Sequence, residues 1–583
     1  MTKKALEIRA HFKGDDVGQY VAHTWETYRA QMNTKIEQWK EVRDYIFATD
    51  TTTTTNKTLP WKNSTTLPKL CQIRDNLHSN YISALFPNDD WLRWSAYTQE
   101  SGSKEKVKSI EAYMGNKFRE GEFRQEFSRL VYDYIDFGNA FATVDYVSRA
   151  PKMEDGEPLI DYIGPKIRRI SPYDIIFNPI AASFRDSFKI VRSIKNVGEL
   201  YMMADDLPDE HYLKGVLASR EQLIQNCNQK SGLKDFDKGQ GFSMDGFGNY
   251  EEYLQSGYVE FLDFYGDVFD QKTGSVRRNR LITVIDRMWT IRDEEIPSWL
   301  GHAPIYHVGW RTRSDNLWAM GPLDNLVGMQ YRIDHLENLK ADAMDLAVLP
   351  PLVIKGDVEA FKYGPGEEIH IDEGGDVTEL AKNAQWVIAA DNSIDKLEMR
   401  MEQYAGAPRE AMGIRSPGEK TMFEVQQLNN AAGRIFQEKT THFEVEFLER
   451  LLNACLEVSK RNLDSVDTIR VIDNDVGVAV FIDITKEDIT ASGRLRPIGA
   501  RHFAAQAQLM QNLQGIYNSQ LGEMLKPHTS TKNLATLIEE IMGVERFALF
   551  SPNVGVEERK ETQRAINQGQ EDLAVEASVA PPQ

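Results

Sequence analysis

The 583 residues carry 41% hydrophobic and 27% charged side chains, the balance of a soluble globular protein with room for about three or four domains. A formal charge of −20 argues against a protein that coats nucleic acid by neutralising phosphate; it does not separate a protein that surrounds DNA and lets it slide from an ordinary acidic soluble protein, the commoner case. No apolar run approaches the roughly 18–20 residues of a membrane span, and Met1-Thr2-Lys3-Lys4 leads into charged helix, so folding in a cytoplasm is expected.

Residues 16–48 read as one amphipathic helix, because Val21, Trp25, Tyr28, Met32, Ile36, Trp39, Val42 and Ile46 recur at spacings of three and four. A run of threonines from Thr51 reads as an exposed loop. Helices are expected over 71–85, 103–119 and 122–137, the last ending at Gly138-Asn139, followed by a strand over 140–146. Between 167 and 191 the pattern is extended, with Ser171-Pro172-Tyr173-Asp174 as a turn before Ile175-Ile176-Phe177. Residues 232–257, rich in Gly, Asp and Ser, read as a mobile loop. Strands are expected over 258–265, 280–286, 287–292 and 305–309, which makes the middle third mixed α+β.

At Gly321-Pro322 the character changes. Proline suits a first helical position, and 322–348 reads as one helix with Leu326, Met329, Ile333, Leu336, Ala343 and Leu346 as its seam. Arg332, Asp334, Glu337, Lys340 and Asp342 read as its charged flanks, and Leu349-Pro350-Pro351 ends it. Residues 352–390 read as a small β insert. A second helix is expected over 391–412, capped by Asp391 or Asn392, then a short loop over 413–420 and a very long helix over 421–463. Strands near 468–472 and 478–484, a loop over 490–497, helices over 498–520 and 530–543, and a disordered tail complete the chain.

The chemistry-bearing motifs are few. Gly413-Ile-Arg-Ser-Pro-Gly418-Glu419-Lys420-Thr421 nearly matches a phosphate-binding loop, but Glu419 puts a carboxylate where backbone amides should cradle phosphate, and a helix precedes it where a strand is needed. Glu368, His370 and Asp372 share one face of a strand, a pattern read as a solvated face and not as a metal site, which draws ligands from several elements. Cys71, Cys227 and Cys455 lie far apart without metal-ligand spacing and read as incidental thiols. No active site, metal or cofactor is expected, and hence no enzyme. The insert at 356–379 holds eight carboxylates against one lysine, Lys362, which suits a projecting docking tip. Arg494, Arg496 and Arg501 form a basic cluster that suits either DNA or carboxylates at a subunit interface.

The order of these elements resembles the portal (head–tail connector) proteins of tailed bacteriophages, especially short-tailed ones, over nearly the whole chain. Gly321-Pro-Leu-Asp-Asn-Leu-Val-Gly-Met-Gln-Tyr-Arg-Ile-Asp-His-Leu-Glu-Asn-Leu339 is similar to the segment that opens the portal stem. Gly418-Glu419-Lys420-Thr421 with Glu424-Val425 is similar to the step from channel loop to long helix. Ile489-Thr490-Ala491-Ser492-Gly493 with Ile498-Gly499-Ala500-Arg501 is similar to the turn before the carboxyl-terminal helices, and Ser171-Pro172-Tyr173-Asp174 resembles a turn of portal bodies.

The resemblance implies an α+β, predominantly helical chain: wing over 1–320, stem helix over 321–350, clip over 351–390, second stem helix over 391–412, channel loop over 413–420, backbone helix and wing return over 421–497, and crown over 498–583. It further implies a homo-dodecameric ring at one capsid vertex of the virion, passing double-stranded DNA during packaging, retention and ejection. Its partners would be the terminase large subunit, tail adaptor and tail proteins, and major capsid and scaffolding proteins, with no membrane. Arg415 and Lys420 would then approach DNA in the channel, and Glu359, Glu367, Glu368, Asp372 and Glu373 would dock partners at the clip. A tail adaptor or an internal head protein is the alternative reading.

Overall fold

A computed structural model describes residues 9–10, 16–47, 63, 65–86, 91–98, 101–148, 152–154, 157–159, 162–205, 212–229, 253, 257–270, 274–296, 302–348, 352–355, 376–379, 385–405, 434–463, 467–472 and 479–497. The fold is α+β, with several antiparallel sheets beside its helices. The chain forms two compact units, one of Met1–Ile82 with Gly121–Val458, the other of Ser83–Glu120 with Ser459–Gln583. The Thr51 loop, most of 232–257, the loop at 413–420 and everything from 498 onward lie outside the described residues.

The larger unit is organised by a twisted antiparallel sheet in the order Trp289–Glu295, Val276–Ile285, Tyr258–Asp270, Lys189–Asn196, Ile175–Phe177, with Arg9–Ala10 added parallel to Tyr258–Asp270. A second antiparallel sheet runs Ile305–Gly309, Asn139–Ser148, Ile163–Ile170. The 16–48 helix is in fact two, Asp16–Gln31 and Asn33–Ile46. Met32 stays near helical dihedrals, but its N–H is shared between Tyr28 O at 3.2 Å and Arg29 O at 3.1 Å, a tightened turn between the two helices. Both helices bury the face read from the sequence: Val21, Trp25, Met32, Ile36 and Trp39 pack into one core with Phe177, Ile190, Leu262 and Phe264 of the sheet.

The strand expected over 287–292 begins at Trp289, because Asp286 and Arg287 form the hairpin turn itself with φ of 50° and 59°. Two positive φ values in succession are the backbone of a hairpin turn that usually takes Asn-Gly. Two helices unforeseen from the sequence, Val197–Asp205 and Tyr212–Gln229, cover one end of the sheet through Leu200, Leu213, Val216 and Leu217 against Val259 and Phe261. Helix Phe123–Asp136 ends at Gly138 as expected, and the reason is visible. Gly138 has φ of +68°, and a Cβ there would stand 2.3 Å from the backbone nitrogen of Gly321.

Helix 322–348 starts later than its proline implied, at Val327. Leu323 and Leu326 are buried in the turn before it, where Asp324 accepts a hydrogen bond from the Gly321 N–H at 2.8 Å. The insert is anchored by an antiparallel ribbon, Leu352–Lys355 with Asp376–Glu379. The return helix is Gln385–Ala405, so Asp391 and Asn392 are not caps but interior residues, and Asn392 Nδ2 donates back to Ile388 O at 3.0 Å. The described part of the long helix runs from Arg434 to Asn462 with a π-turn at Glu444–Leu448, while 421–433 lies outside the described residues.

In the smaller unit, helix Lys104–Glu120 accompanies the hairpin Asp467–Ile472/Ala479–Ile484 and a ribbon of Leu92–Ala96 with Gly493–Pro497. The expected 490–497 loop is therefore mostly strand, preceded by the short helix Lys486–Ile489 with its Thr485/Asp488 capping box. Trp94 pins the ribbon: its ring is buried, its indole N–H donates to Ser101 O at 3.1 Å, and Leu495 opposite it is fully buried.

Candidate functional site

The helix pair Val327–Val348 and Gln385–Ala405, closed at one end by the 352–355/376–379 ribbon, is the element on which the sequence-derived sites depend. The two helices pack on one another along a seam that includes buried Ile333, Ile394, Met401 and Ala405. Lys340 crosses the pair, 2.7 Å from Glu337 on its own helix and 3.0 Å from Asp391 on the other.

A feature unforeseen from the sequence fixes this pair to its unit. Gln330, Asp334, Asn338 and Asp342 recur every four residues along one face of the first helix, and the segment 63–70 runs antiparallel to that face. Asn63 donates from its backbone N–H and its amide to Asp342 Oδ1 at 3.1 and 2.8 Å. Thr65 and Asn338 exchange two bonds, Thr65 N–H to Asn338 Oδ1 at 2.7 Å and Asn338 Nδ2 to Thr65 O at 3.2 Å. Leu67 donates to Asp334 Oδ1 at 3.0 Å and accepts from Gln330 Nε2 at 2.6 Å. Leu70 N–H closes the series on Gln330 Oε1 at 3.2 Å. Geometry explains the match: two extended residues advance roughly 6.6 Å, and four helical residues advance about 6 Å. Each successive helix position thus meets the next available backbone group of the strap.

Near the end of the strap is Lys69, whose ammonium lies 2.6 Å from Glu402 and 3.3 Å from Glu398 of the return helix, and 3.1 Å from Gln72. Lys69 and Glu402 side chains are 7% and 4% exposed, so the contact operates in low dielectric. Asp334, read as one of the helix's charged flanks, is buried. Burial pushes its carboxyl up to about 6, against the hydrogen bonds from Leu67 N–H and Gln330 that favour the ionised form. Its Oδ2 finds no hydrogen-bond partner among the described residues.

Outside the strap and the seam the pair exposes large apolar side chains. Tyr331, Leu339 and Met344 stand out on the first helix, Ile388, Met399 and Tyr404 on the second, with Ile388 64% and Tyr404 63% exposed. They do not share one stripe. At about 100° per residue, Leu339 and Met344 lie about 80° and 220° around the helix from Tyr331, and Tyr404 about 140° from Met399.

Arg415 and Lys420, expected to approach DNA, lie outside the described residues, as do Glu359, Glu367, Glu368, Asp372 and Glu373 and the Glu368/His370/Asp372 set. Among the described residues no group of three or more His, Cys, Asp or Glu is placed to hold a metal ion, and no helix is long and apolar enough to cross a membrane. Arg494 and Arg496 are exposed on the Gly493–Pro497 strand, and Arg501 lies outside the described residues.

Elsewhere in the larger unit, a groove of about 760 Å³ is lined by Lys35, Arg313, Asp324 and Trp318 among others. The Lys35 ammonium donates to Ala319 O at 2.9 Å, and burial lowers its pKa, with Asp324 opposing. The groove's lining holds no Ser, Cys or His. The Asp286-Arg287 turn gathers buried charge instead: Arg220 Nε donates to Asp286 at 2.8 Å, Tyr253 Oη donates to the same carboxylate, and Arg287 is bidentate on Glu260 at 2.7 and 2.9 Å. Glu260, Asp286 and Arg287 are at most 2% exposed, so this cluster locks the hairpin and is closed to a ligand.

No protein-family model matches the chain, and no curated protein matches its sequence.

Proposed function

We propose that the chain is the ring subunit of a portal vertex of a short-tailed bacteriophage, a passive sleeve for double-stranded DNA and not an enzyme. In this reading twelve copies surround the channel in the virion. The insert beyond the 352–355/376–379 ribbon docks the terminase large subunit and later the tail adaptor, and the body meets capsid and scaffold.

One observation carries the reading: a helix–ribbon–helix unit whose seam is buried while large apolar side chains stand exposed on opposite sides of both helices. A single amphipathic helix pair lying on a body needs only one apolar face. A pair flanked by copies of itself in a closed ring needs two, which is the distribution of Tyr331, Leu339, Met344, Ile388, Met399 and Tyr404. Acidic composition and the carboxylate-rich insert agree with a wall that DNA slides past.

Negative-stain imaging of the purified protein, with light scattering for mass, tests it. Rings with a central hole and a mass near twelve subunits are expected. Ile388→Ser with Met399→Ser is expected to shift the population toward monomer while the subunit melts as before. A closed dimer that forms no rings, with or without scaffold, would overturn the reading in favour of a tail adaptor or internal head protein.

A further inference from the structure

Three helices and a strand of the larger unit, Asn33–Ile46, Lys69–Leu85, Phe123–Asp136 and Ile163–Ile170, supply the walls of a pocket of about 280 Å³. Part of the wall is apolar. Trp39, Val42 and Ile46 come from the buried face of the first helix, and Phe137 follows the third. Phe47, the residue after the first helix, also lines the pocket and stands 61% exposed. The rest of the wall is basic. Arg43, Arg74, Arg129 and Arg169 line it together with two carboxylates, Asp133 and Asp136, so four positive charges against two negative ones leave an excess of two.

Both carboxylates are already satisfied. Arg169 Nε and Nη2 donate to Asp133 at 2.5 and 2.7 Å, and Arg74 Nε and Nη2 donate to Asp136 at 2.6 and 2.8 Å. The arginines keep donors in reserve. Among the described residues Arg169 Nη1 has no partner, and Arg129 makes one bond, to Glu126 at 2.9 Å. Arg43 makes none, its Nη2 lying 3.7 Å from exposed Asp44. Stacking holds Arg74 in place: its guanidinium lies 4.1 Å from the Tyr132 ring and 5.3 Å from that of Phe47, and His78 stacks on Tyr132 at 3.7 Å. The pocket thus combines an apolar wall with unused guanidinium donors and has no unpaired carboxylate.

We propose that this pocket binds a small aromatic anion, a ring carrying a carboxylate, sulfonate or phosphate. Arg43, Arg129 and Arg169 donate to the oxyanion, and Phe47 with the Trp39–Val42–Ile46 face receives the ring. A neutral apolar molecule leaves the guanidiniums unanswered, an inorganic anion leaves the apolar wall wet, and a cation meets the positive excess. The volume stands at the lower end of ligand clefts, which suits one ring system with its acid group. A planar guanidinium grips two oxygens of such a group at once. The long, exposed Arg43–Asp44 pair is of a kind worth little, so it yields to the ligand. Every lining residue belongs to the larger unit of one chain, so the proposal fails or holds apart from the ring reading.

The test is isothermal titration calorimetry of the full-length protein with naphthoate and with phenyl phosphate. Both are expected to bind, and naphthalenemethanol, benzamidine and inorganic phosphate to bind at least tenfold more weakly. Arg43→Gln/Arg129→Gln, at two exposed positions, should weaken naphthoate at least tenfold, and Phe47→Ser severalfold. Arg313→Gln, an exposed arginine of the separate groove beside Lys35, should leave the affinity unchanged. If the double variant does not fold by circular dichroism, Arg43→Gln alone decides. Failure of both acids to bind, equal binding of the alcohol, or an unchanged affinity in the arginine variant would overturn the proposal.

Discussion

The Lys69 ammonium stands 2.6 Å from Glu402 Oε1, so the 63–70 strap also grips the return helix. The strap's hydrogen bonds from Asn63, Thr65, Leu67 and Leu70 reach the first helix of the pair, and Lys69 extends the hold to the second. Removing one partner of a buried pair leaves the other charge uncompensated, at a cost of about 3–5 kcal/mol. Lys69→Met is expected to lower stability by that amount in a urea titration, and adding Glu402→Gln to recover part of it. Equal melting of the single and double variants would show that the ammonium and carboxylate do not depend on one another.

Asp334 gives the strap a pH dependence whose sign is fixed. Its carboxyl is raised from an ordinary value near 3.8 to about 6 in the folded chain, so the folded state holds the proton more tightly than the unfolded one. Its contribution is therefore fully present below about pH 4 and lost as pH rises through about 6. Asp334→Asn should remove this component. Melting temperatures measured from pH 4 to 7 are expected to show the variant gaining on wild type as pH rises; parallel curves would refute the assignment.

Asn338 exchanges two hydrogen bonds with the backbone of Thr65, and it is buried. Asn338→Leu keeps the size of the side chain but removes both bonds to exposed Thr65, at about 0.5–1.5 kcal/mol for each bond, since water can take their place. Amide hydrogen exchange should accelerate over 63–70 and leave the Tyr258–Asp270 strand unchanged. Equal protection of the strap in variant and wild type would mean that the ladder does not hold it.

The Asp286-Arg287 turn sets two effects against each other. Replacing it with Asn-Gly removes the strain of two non-glycine residues at positive φ, about 1–2 kcal/mol each. The same change strips Glu260 of its bidentate arginine and Arg220 of its carboxylate, both buried, at about 3–5 kcal/mol for each broken pair. The pairs are the larger effect, so Asp286→Asn/Arg287→Gly is expected to unfold at lower denaturant than wild type. A more stable variant would assign the cluster to strain alone.

Gly138→Ala combines a φ of +68° with a Cβ 2.3 Å from the Gly321 nitrogen and 2.4 Å from the Met320 carbonyl carbon. Neither contact is with a flexible side chain, so the two backbones must part. A loss beyond the roughly 1 kcal/mol of an ordinary glycine-to-alanine strain is expected, read as a fall in melting temperature.

Periodicity made much of the fold legible. The Trp25–Trp39 face, the helix stop at Gly138, the Ser171-Pro172 turn and the 305–309 strand all follow from spacing or from one residue's dihedral preference. What spacing hid was polar structure inside the molecule. Gln330, Asp334, Asn338 and Asp342 recur at intervals of four as plainly as any apolar seam, but a charged row is ordinarily solvated, and only the strap beside it turns it inward. Pro322 and Asp391 misled for a related reason: each is a common helix-start residue, and buried Leu323 in one case and a helix already begun at Gln385 in the other overrode it. Gly493–Pro497 read as loop because an arginine-rich strand becomes legible only once its buried Leu495 is set against Trp94.

The π-turn at Glu444–Leu448 changes how the long helix should be counted. The Glu449 N–H reaches back five residues to Glu444 O, a widened turn that takes up one extra residue with little added rotation or rise. Residues on either side are thus out of phase by about 100° relative to an uninterrupted helix. Phe443 before the turn and Leu451 and Cys455 after it are all buried, and the offset aligns them, with Leu451 about 20° from Phe443 instead of about 80°. Deleting a single residue within 444–448 would restore an ordinary helix and keep the Leu451–Cys455 face in register with Phe443. In this chain a one-residue deletion at that point is absorbed, whereas the same deletion in Glu449–Asn462 turns every later residue by about 100°.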